Sequence, residues 1–273
     1  MRNGIDISYY QQEINYDDLK GKVDFVIIRV GRWLRNKSEP YIDSAFERHY
    51  TELKKRNIPV GAYWYCYAET PERAAAEAEW CYKWIKNKQF EYPIFFDIEE
   101  KSQERRGNCD DICRAFLEPL EKRGYWVGIY SYNSFIEHNL SSGLKQRYSL
   151  WIARTPKVDD GKTVVKPTSS CLIHQYTFKY PIGGLKEVDG DICNMDNIPE
   201  IMRQKGLNGF GENIEPPIDI PREEPKVPSI QKVYNVVIGE LENKEPAESR
   251  LESVRGLYPD AKIKVTTRVT NKG

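Results

Sequence analysis

The sequence predicts an α/β fold in which about eight strands close into a barrel, followed by a small C-terminal β-α-β unit. Three observations predict this fold. Short apolar runs alternate with helical segments up to about residue 205, carboxylates follow several of these runs, and the composition changes after residue 206. Strands that alternate with helices are typical of parallel sheets, and nearly eight strands favour a closed barrel. In such barrels the active site lies at the carboxyl ends of the strands.

Seven apolar runs have the length and composition of buried strands. They cover residues 4–8, 25–31, 61–68, 93–99, 127–132, 149–154 and 171–177.

Helical segments separate several of these runs. Residues 43–56 have helical spacing, and residues 109–123 form a helix that a glycine ends. Thr70 and Pro71 are an N-cap and a proline at the first helical position, which predicts a helix to about residue 88.

The run 93–99 contains the most informative residues, Asp97 and Glu99. Side chains two residues apart in a strand point to the same face, roughly 6.6 Å apart at the backbone. Two carboxylates so close raise the pKa of at least one of them, as a general acid at neutral pH requires. The alternative is a strand that runs into a solvated acidic turn, since residues 100–106 are highly charged.

Two further acidic positions argue against that alternative. Asp6 lies in the short apolar run 4–8, and Asp189-Gly190-Asp191 follows the last apolar run. Carboxylates at several strand ends are what a barrel with one active site would show.

Charge and cysteine content exclude other classes of protein. Lys plus Arg and Asp plus Glu both number 41, which argues against a general nucleic-acid-binding surface. None of the six cysteines forms a Cys-x-x-Cys pair and the three histidines are scattered, so we expect free thiols, no metal site and no cofactor. Since no apolar run reaches 18 residues, membrane insertion is not expected.

The composition predicts three parts of the chain. Residues 1–206 form the barrel, residues 207–229 form a proline-rich linker, and residues 230–273 form the small α/β unit.

Six motifs along residues 3–200 together resemble glycoside hydrolase family 25, the lysozyme-like muramidases of phage endolysins and bacterial autolysins. The motifs are Gly-Ile-Asp-Ile-Ser at 4–8, Phe-Val-Ile-Ile-Arg-Val-Gly at 25–31, Gly-Ala-Tyr at 61–63, Phe-Asp-Ile-Glu at 96–99, Leu-Trp-Ile-Ala at 150–153 and Gln-Tyr at 175–176. The resemblance implies an irregular, TIM-like eight-stranded barrel with fewer helices than a regular one. It also implies cleavage of the β-1,4 bond between N-acetylmuramic acid and N-acetylglucosamine.

The resemblance also implies catalytic roles. Glu99 would be the general acid, and Asp97 would orient the substrate's acetamido group or stabilise the transition state. Asp6 and Asp191 would complete the acidic floor, although Asp189 competes with Asp191 for the family's late aspartate. We expect the substrate groove to be lined by Tyr63, Tyr65, Tyr132, Trp151, Gln175 and Asp189, although any of the aromatic residues could instead be core packing.

Two positions depart from the family pattern. Trp64 stands where the family often has His after the tyrosine, so this position would pack or stack rather than exchange protons. The late Asp-Gly-Asp segment, residues 189–191, also differs from the family's usual Val-Asp-x-Asn.

The tail more weakly resembles half of a sporulation-related (SPOR-like) repeat, a module that binds peptidoglycan glycan strands. The resemblance implies wall binding by residues 230–273, with a dimer through this unit as one arrangement. An appended unit without binding activity is the alternative.

The predicted function is therefore an N-acetylmuramidase of phage or prophage origin that acts on Gram-positive-type walls. The chain opens directly into a strand without a signal segment, so we expect synthesis in the cytoplasm and action on the wall after release. A non-catalytic wall-binding protein on a repurposed barrel is the main alternative. A metal-dependent phosphoesterase that uses the aspartates is disfavoured by the shortage of histidines.

Overall fold

The computed structural model describes residues 1–34, 37, 39–104 and 106–211. The predicted unit 230–273 and residues 212–229 of the predicted linker 207–229 lie outside the described residues. Their boundaries, wall binding and dimer therefore stay predictions.

Within the described residues, nine strands form one sheet, and a parallel pairing between its strands β1 and β2 closes eight of them into a barrel. This confirms the predicted α/β barrel. The sheet order is β1-β9-β8-β7-β6-β5-β4-β2-β3, so the short β3 lies outside the closed ring, on β2. The strands are β1 (Arg2–Ile7), β2 (Phe25–Arg32), β3 (Tyr41–Ile42), β4 (Val60–Tyr65), β5 (Ile94–Asp97), β6 (Val127–Tyr132), β7 (Ser149–Ala153), β8 (Ile173–Ile182) and β9 (Leu185–Cys193).

The last strand of the ring, β9, is antiparallel to both of its neighbours. Strand β9 thus departs from the parallel pairing that the alternation of strands and helices indicates. Ile182 pairs with Leu185 across a tight turn made by Gly183 and Gly184, whose φ angles are +65° and +80°. Two positive φ angles are what a two-residue hairpin turn requires, so this glycine pair was a signal for the hairpin.

The described ranges contain six α-helices: α1 (Phe46–Lys55), α2 (Pro71–Ile85), α3 (Cys109–Lys122), α4 (Asn133–Asn139), α5 (Ser142–Arg147) and α6 (Ile198–Gln204). The three predicted helices correspond to α1, α2 and α3. Residues 154–172 connect β7 to β8 without a helix, which makes the barrel irregular.

Alternation along the strands divides the apolar side chains into two cores. Residues such as Val26, Ile28 and Phe96 pack outward against the helices. Their neighbours Phe25 and Phe95 point into the barrel. Helix α6 adds Ile198 and Met202 to this interior core beside Phe25, the first residue of β2. Because α6 packs at the amino ends of the strands, the carboxyl ends remain available for a cleft.

Trp64 belongs to the outer core, so it packs there and does not enter the barrel. It is fully buried, and its indole Nε1 donates a 2.7 Å hydrogen bond to Oε2 of Glu77 in α2. Burial raises the pKa of Glu77 to about 8, while the hydrogen bond from Trp64 and the charge of Arg73 act in the opposite direction.

All six cysteines are described and are free thiols, buried except for the half-buried Cys171. Within the described ranges, no helix is both long enough and apolar enough to span a membrane.

Candidate active site

A cleft of about 340 Å³ opens at the carboxyl ends of the strands. Nine of the ten predicted site residues line it: Asp6, Tyr63, Tyr65, Asp97, Glu99, Tyr132, Trp151, Gln175 and Asp189. The tenth, Asp191, is not among the lining residues. Six further side chains complete the wall: Ser8, Tyr10, Gln11, Arg29, Tyr130 and Phe178.

Glu99 lies two residues beyond the end of β5, so the predicted strand 93–99 is too long. The buried side chain of Gln103 holds the loop that carries it. The amide oxygen of Gln103 accepts a 2.9 Å hydrogen bond from the backbone N–H of Glu100, and its Nε2 donates a 2.7 Å bond to the carbonyl of Ala68. These bonds fix the backbone next to Glu99 against the segment that follows β4.

The electrostatics of Glu99 suit a proton donor. Burial is the largest of the causes that raise its pKa to about 7, and the charge of Glu100 adds to the effect. Its Oε2 is buried and has no hydrogen-bond partner. At neutral pH this carboxyl is therefore protonated in a large fraction of the molecules.

Asp97, the last residue of β5, lies beside it and is almost fully buried. Burial and the nearby charge of Glu99 hold the pKa of Asp97 well above its usual range, while the guanidinium of Arg29 acts against this. An ionised Glu99 therefore disfavours ionisation of Asp97.

Asp6 reaches the cleft from β1 and is held by a chain of hydrogen bonds. Its Oδ2 accepts a 2.6 Å bond from Nε2 of Gln175, and the Gln175 oxygen accepts a 2.7 Å bond from the hydroxyl of Tyr130. Burial is the largest cause of the raised pKa of Asp6, followed by the charges of Asp189 and Asp191. Gln175 therefore fixes Asp6, and Tyr130 fixes the orientation of the Gln175 amide.

The register between β1 and β9 separates the two late aspartates. Asp189 lies opposite Asp6, and Asp191 lies opposite Gly4, one step deeper in the barrel. Asp189 lines the cleft, and burial together with the charge of Asp159 raises its pKa to about 7. Asp191 is only 1% exposed, and its Oδ1 accepts a 2.8 Å bond from the indole of Trp151. Of the two late aspartates, Asp189 is thus the one that lines the cleft.

Replacing these two aspartates by asparagine should separate their roles. We expect Asp189→Asn to lower kcat about 100-fold, since a carboxylate at the reacting centre contributes electrostatically. We expect Asp191→Asn to retain activity within about 3-fold, because burial already favours its neutral form and asparagine has the same shape. Steady-state kinetics on one soluble glycan, with melting temperatures of both variants, would check this. The reverse ranking would instead assign the catalytic aspartate to Asp191.

The groove residues predicted from the sequence did not include Arg29 or two exposed aromatic residues, Tyr10 and Phe178. Arg29 follows Phe25 and Ile27 at the two-residue spacing of the inward face of β2, so the strand pattern could have identified it. Phe178 lies beyond the predicted end of the run 171–177, in the part of β8 that forms the hairpin. Together with Tyr132, these rings leave 38% to 65% of their surface exposed at the cleft, where sugar faces could stack.

Across the described ranges, no group of three or more His, Cys, Asp or Glu side chains is arranged to hold a metal ion. Among the cleft carboxyls, Asp6 accepts a hydrogen bond from the amide of Gln175.

Comparison with known proteins places this geometry in context. Residues 5–185 match the family described as glycosyl hydrolases family 25. The chain is 26% identical over 219 residues to an autolytic lysozyme of Clostridium acetobutylicum, an alignment that covers 75% of this chain. It spans 64% of the length of that curated relative.

Two solved structures have similar folds. One is a glycosyl hydrolase 25 of Streptococcus pneumoniae, a virulence factor, with 29% identity and a TM-score of 0.63 over 74% of this chain and 92% of that one. The other is the catalytic domain of the endolysin ply40 from bacteriophage P40 of Listeria monocytogenes. It shares 29% identity and has a TM-score of 0.63, over 76% of this chain and 98% of that one.

Proposed function

Because the chain belongs to glycosyl hydrolase family 25, we propose that it is an N-acetylmuramidase. It cleaves the β-1,4 bond between N-acetylmuramic acid and N-acetylglucosamine in peptidoglycan. The observation that carries this proposal is Glu99, a buried carboxyl with a pKa of about 7 and a partnerless oxygen in a cleft lined by acidic and aromatic side chains. Glycosidases of most families use such a pair of carboxyls, one neutral and one charged.

The geometry supports distinct roles for the carboxyls. Protonated Glu99 donates its proton to the leaving glycosidic oxygen, while positive charge develops on the sugar ring. Asp97 orients the acetamido group or stabilises that developing charge. Asp6 and Asp189 are further carboxyls on the β1–β9 side, across the barrel mouth from β5. In this buried setting a carboxylate that ionises acts in a low-dielectric environment, where its charge is strong.

The two departures from the family pattern do not weaken this proposal. Trp64 packs outside the barrel, so it leaves the cleft unchanged. Asp189 supplies a carboxyl at the cleft although the late segment is irregular. The two observations that motivated the alternative of a repurposed, inactive barrel therefore no longer support it.

The biological setting belongs to the same proposal. The substrate is a wall polymer, so the enzyme acts on Gram-positive-type peptidoglycan after release from the cytoplasm. The similarities to an endolysin domain and to an autolytic lysozyme support a wall-lysis role. Phage or prophage origin stays a prediction.

Product analysis on purified Gram-positive walls tests the activity. The walls are digested and the new reducing ends are reduced with borohydride. We expect muramitol, because cleavage after N-acetylmuramic acid leaves that sugar at the reducing end. Glucosaminitol would indicate cleavage of the other glycosidic bond. Wall binding without any new reducing ends would favour the non-catalytic alternative.

A further inference from the structure

Arg29 is the single cationic side chain among the described residues that line the cleft. It points inward from β2 opposite Tyr63 in β4, and it is only 5% exposed. The reaction described above assigns it no contact with substrate. A buried guanidinium among acidic groups therefore requires its own explanation.

Asp43 fixes the guanidinium in place. Its Oδ2 accepts a 2.7 Å hydrogen bond from Nε of Arg29. The same carboxylate also accepts the backbone N–H groups of Tyr9, at 3.1 Å, and Ala45, at 2.9 Å. The ion pair with Asp43 thus holds the buried guanidinium beside the cleft.

One arm of the fork is left without a partner. Nη2 of Arg29 is buried and makes no hydrogen bond. The rings of Tyr9 and Tyr10 lie 5.6 Å from the guanidinium carbon, and Tyr10 is 65% exposed. A buried donor without an acceptor is costly, and the cost is recovered when a ligand supplies one. The guanidinium fork suits a carboxyl or carbonyl oxygen.

On the basis of the proposed muramidase function, we propose that Arg29 binds an oxygen at the carboxyl end of the lactyl group on N-acetylmuramic acid. This substituent is what distinguishes muramic acid from glucosamine, and it presents a carboxylate, or a carbonyl where a peptide is attached. The remaining polar groups of the cleft are carboxyls, hydroxyls and amides. Arg29 is thus the lining group whose unpartnered guanidinium N–H can donate to this substituent.

The strand order gives the cleft two different sides. An imaginary line across the barrel mouth from β5 to β1 and β9 divides the cleft in two. Arg29 on β2 and Tyr65 on β4 lie on one side of this line. Tyr132 on β6 and Phe178 on β8 lie on the other side. The lactyl group of the muramyl residue therefore points to the β2–β4 side, and the aromatic side receives apolar sugar faces.

The test measures binding in the Glu99→Gln background, so that ligands remain intact. Calorimetry compares three soluble oligosaccharides of equal length: a chitin oligomer, an alternating glycan with free lactyl carboxylates, and the same glycan with stem peptides attached. We expect Arg29→Met to lose about 10-fold or more in affinity for lactyl-bearing glycan, with chitin binding unchanged. Loss confined to the free-carboxylate glycan identifies the carboxylate as the ligand, and loss for both glycans identifies the shared oxygen.

Arg29→Lys is the second variant, since it keeps the charge near Asp43 but lacks the second arm of the fork. It should lose the same preference, and it keeps the test valid if the methionine variant does not fold. Equal weakening for all three ligands, or an unchanged preference in both variants, would overturn the assignment. If the wild-type enzyme produces no muramitol from walls, the proposed function fails. An unchanged preference alongside normal muramitol release removes only the role of Arg29.

Discussion

Glu99→Gln is expected to lower kcat on peptidoglycan by about 1000-fold or more, with little change in melting temperature or wall binding. Glutamine has the shape of glutamate but cannot transfer a proton to the leaving oxygen, and general acid catalysis of this kind contributes about 100- to 10,000-fold. Since burial already favours the neutral form of Glu99, a neutral amide costs little stability. Reducing-end release from purified walls, measured beside binding to the same walls, checks both parts.

Glu100→Gln is the matched control, because it makes the same change one residue away in the same loop. Glu100 lines no part of the cleft, and it accepts a 2.8 Å hydrogen bond from Tyr65. We expect it to retain activity within a few-fold. If Glu99→Gln kept more than about a tenth of wild-type turnover, another residue would have to be the proton donor.

The pH profile follows from the same carboxyl. Glu99 acts in its protonated form, so kcat/KM should fall as the pH rises through about 7. The charge of Glu100 raises the pKa of Glu99. In Glu100→Gln the fall in activity should therefore begin at lower pH than in the wild type.

The second large effect concerns stability and involves Glu77 in α2. Its pKa is raised from 4.5 to about 8, chiefly by burial. In the unfolded chain this carboxyl loses its proton near its ordinary value, whereas in the folded protein it keeps the proton to higher pH. The native state thus binds more protons between about pH 4.5 and 8, so stability falls as the pH rises through that window. The full span corresponds to about 5 kcal/mol.

Glu77→Gln removes this titration. Between pH 5 and 8, we expect its free energy of unfolding to fall less steeply with pH than that of the wild type. The difference between the two slopes corresponds to about one proton. Urea unfolding at a series of pH values measures the slope, and the raised pKa values of the cleft carboxyls contribute equally to both proteins. Glu79→Gln on the same helix, in an exposed ion pair with Arg123, should change stability by no more than about 0.5 kcal/mol. Identical slopes for Glu77→Gln and the wild type would contradict the assignment.

Much of the fold could be predicted from local patterns. Apolar runs of strand length, the Thr70-Pro71 helix start and the spacing between strands specify β2, β4 to β7 and the three main helices. The hairpin of β8 and β9 was missed because charged residues at 186, 187 and 189 interrupt the apolar pattern of β9. Its strongest signal was the glycine pair at 183 and 184, which permits the turn that reverses the chain.

The sequence by itself determined which carboxyls are candidates, because Asp97 and Glu99 at the end of a buried run have a local spacing that reveals them. The sequence alone did not show whether Asp189 or Asp191 lines the cleft. Nor did it show that Trp64 packs in the outer core, or that one arm of the Arg29 guanidinium has no partner. Those outcomes depend on the β1–β9 register, the position of α2 and the contact with Asp43. Such long-range pairings join residues that are distant in the chain, and closure of the barrel fixes them. Only the tertiary structure therefore decides which of the candidate groups face a substrate.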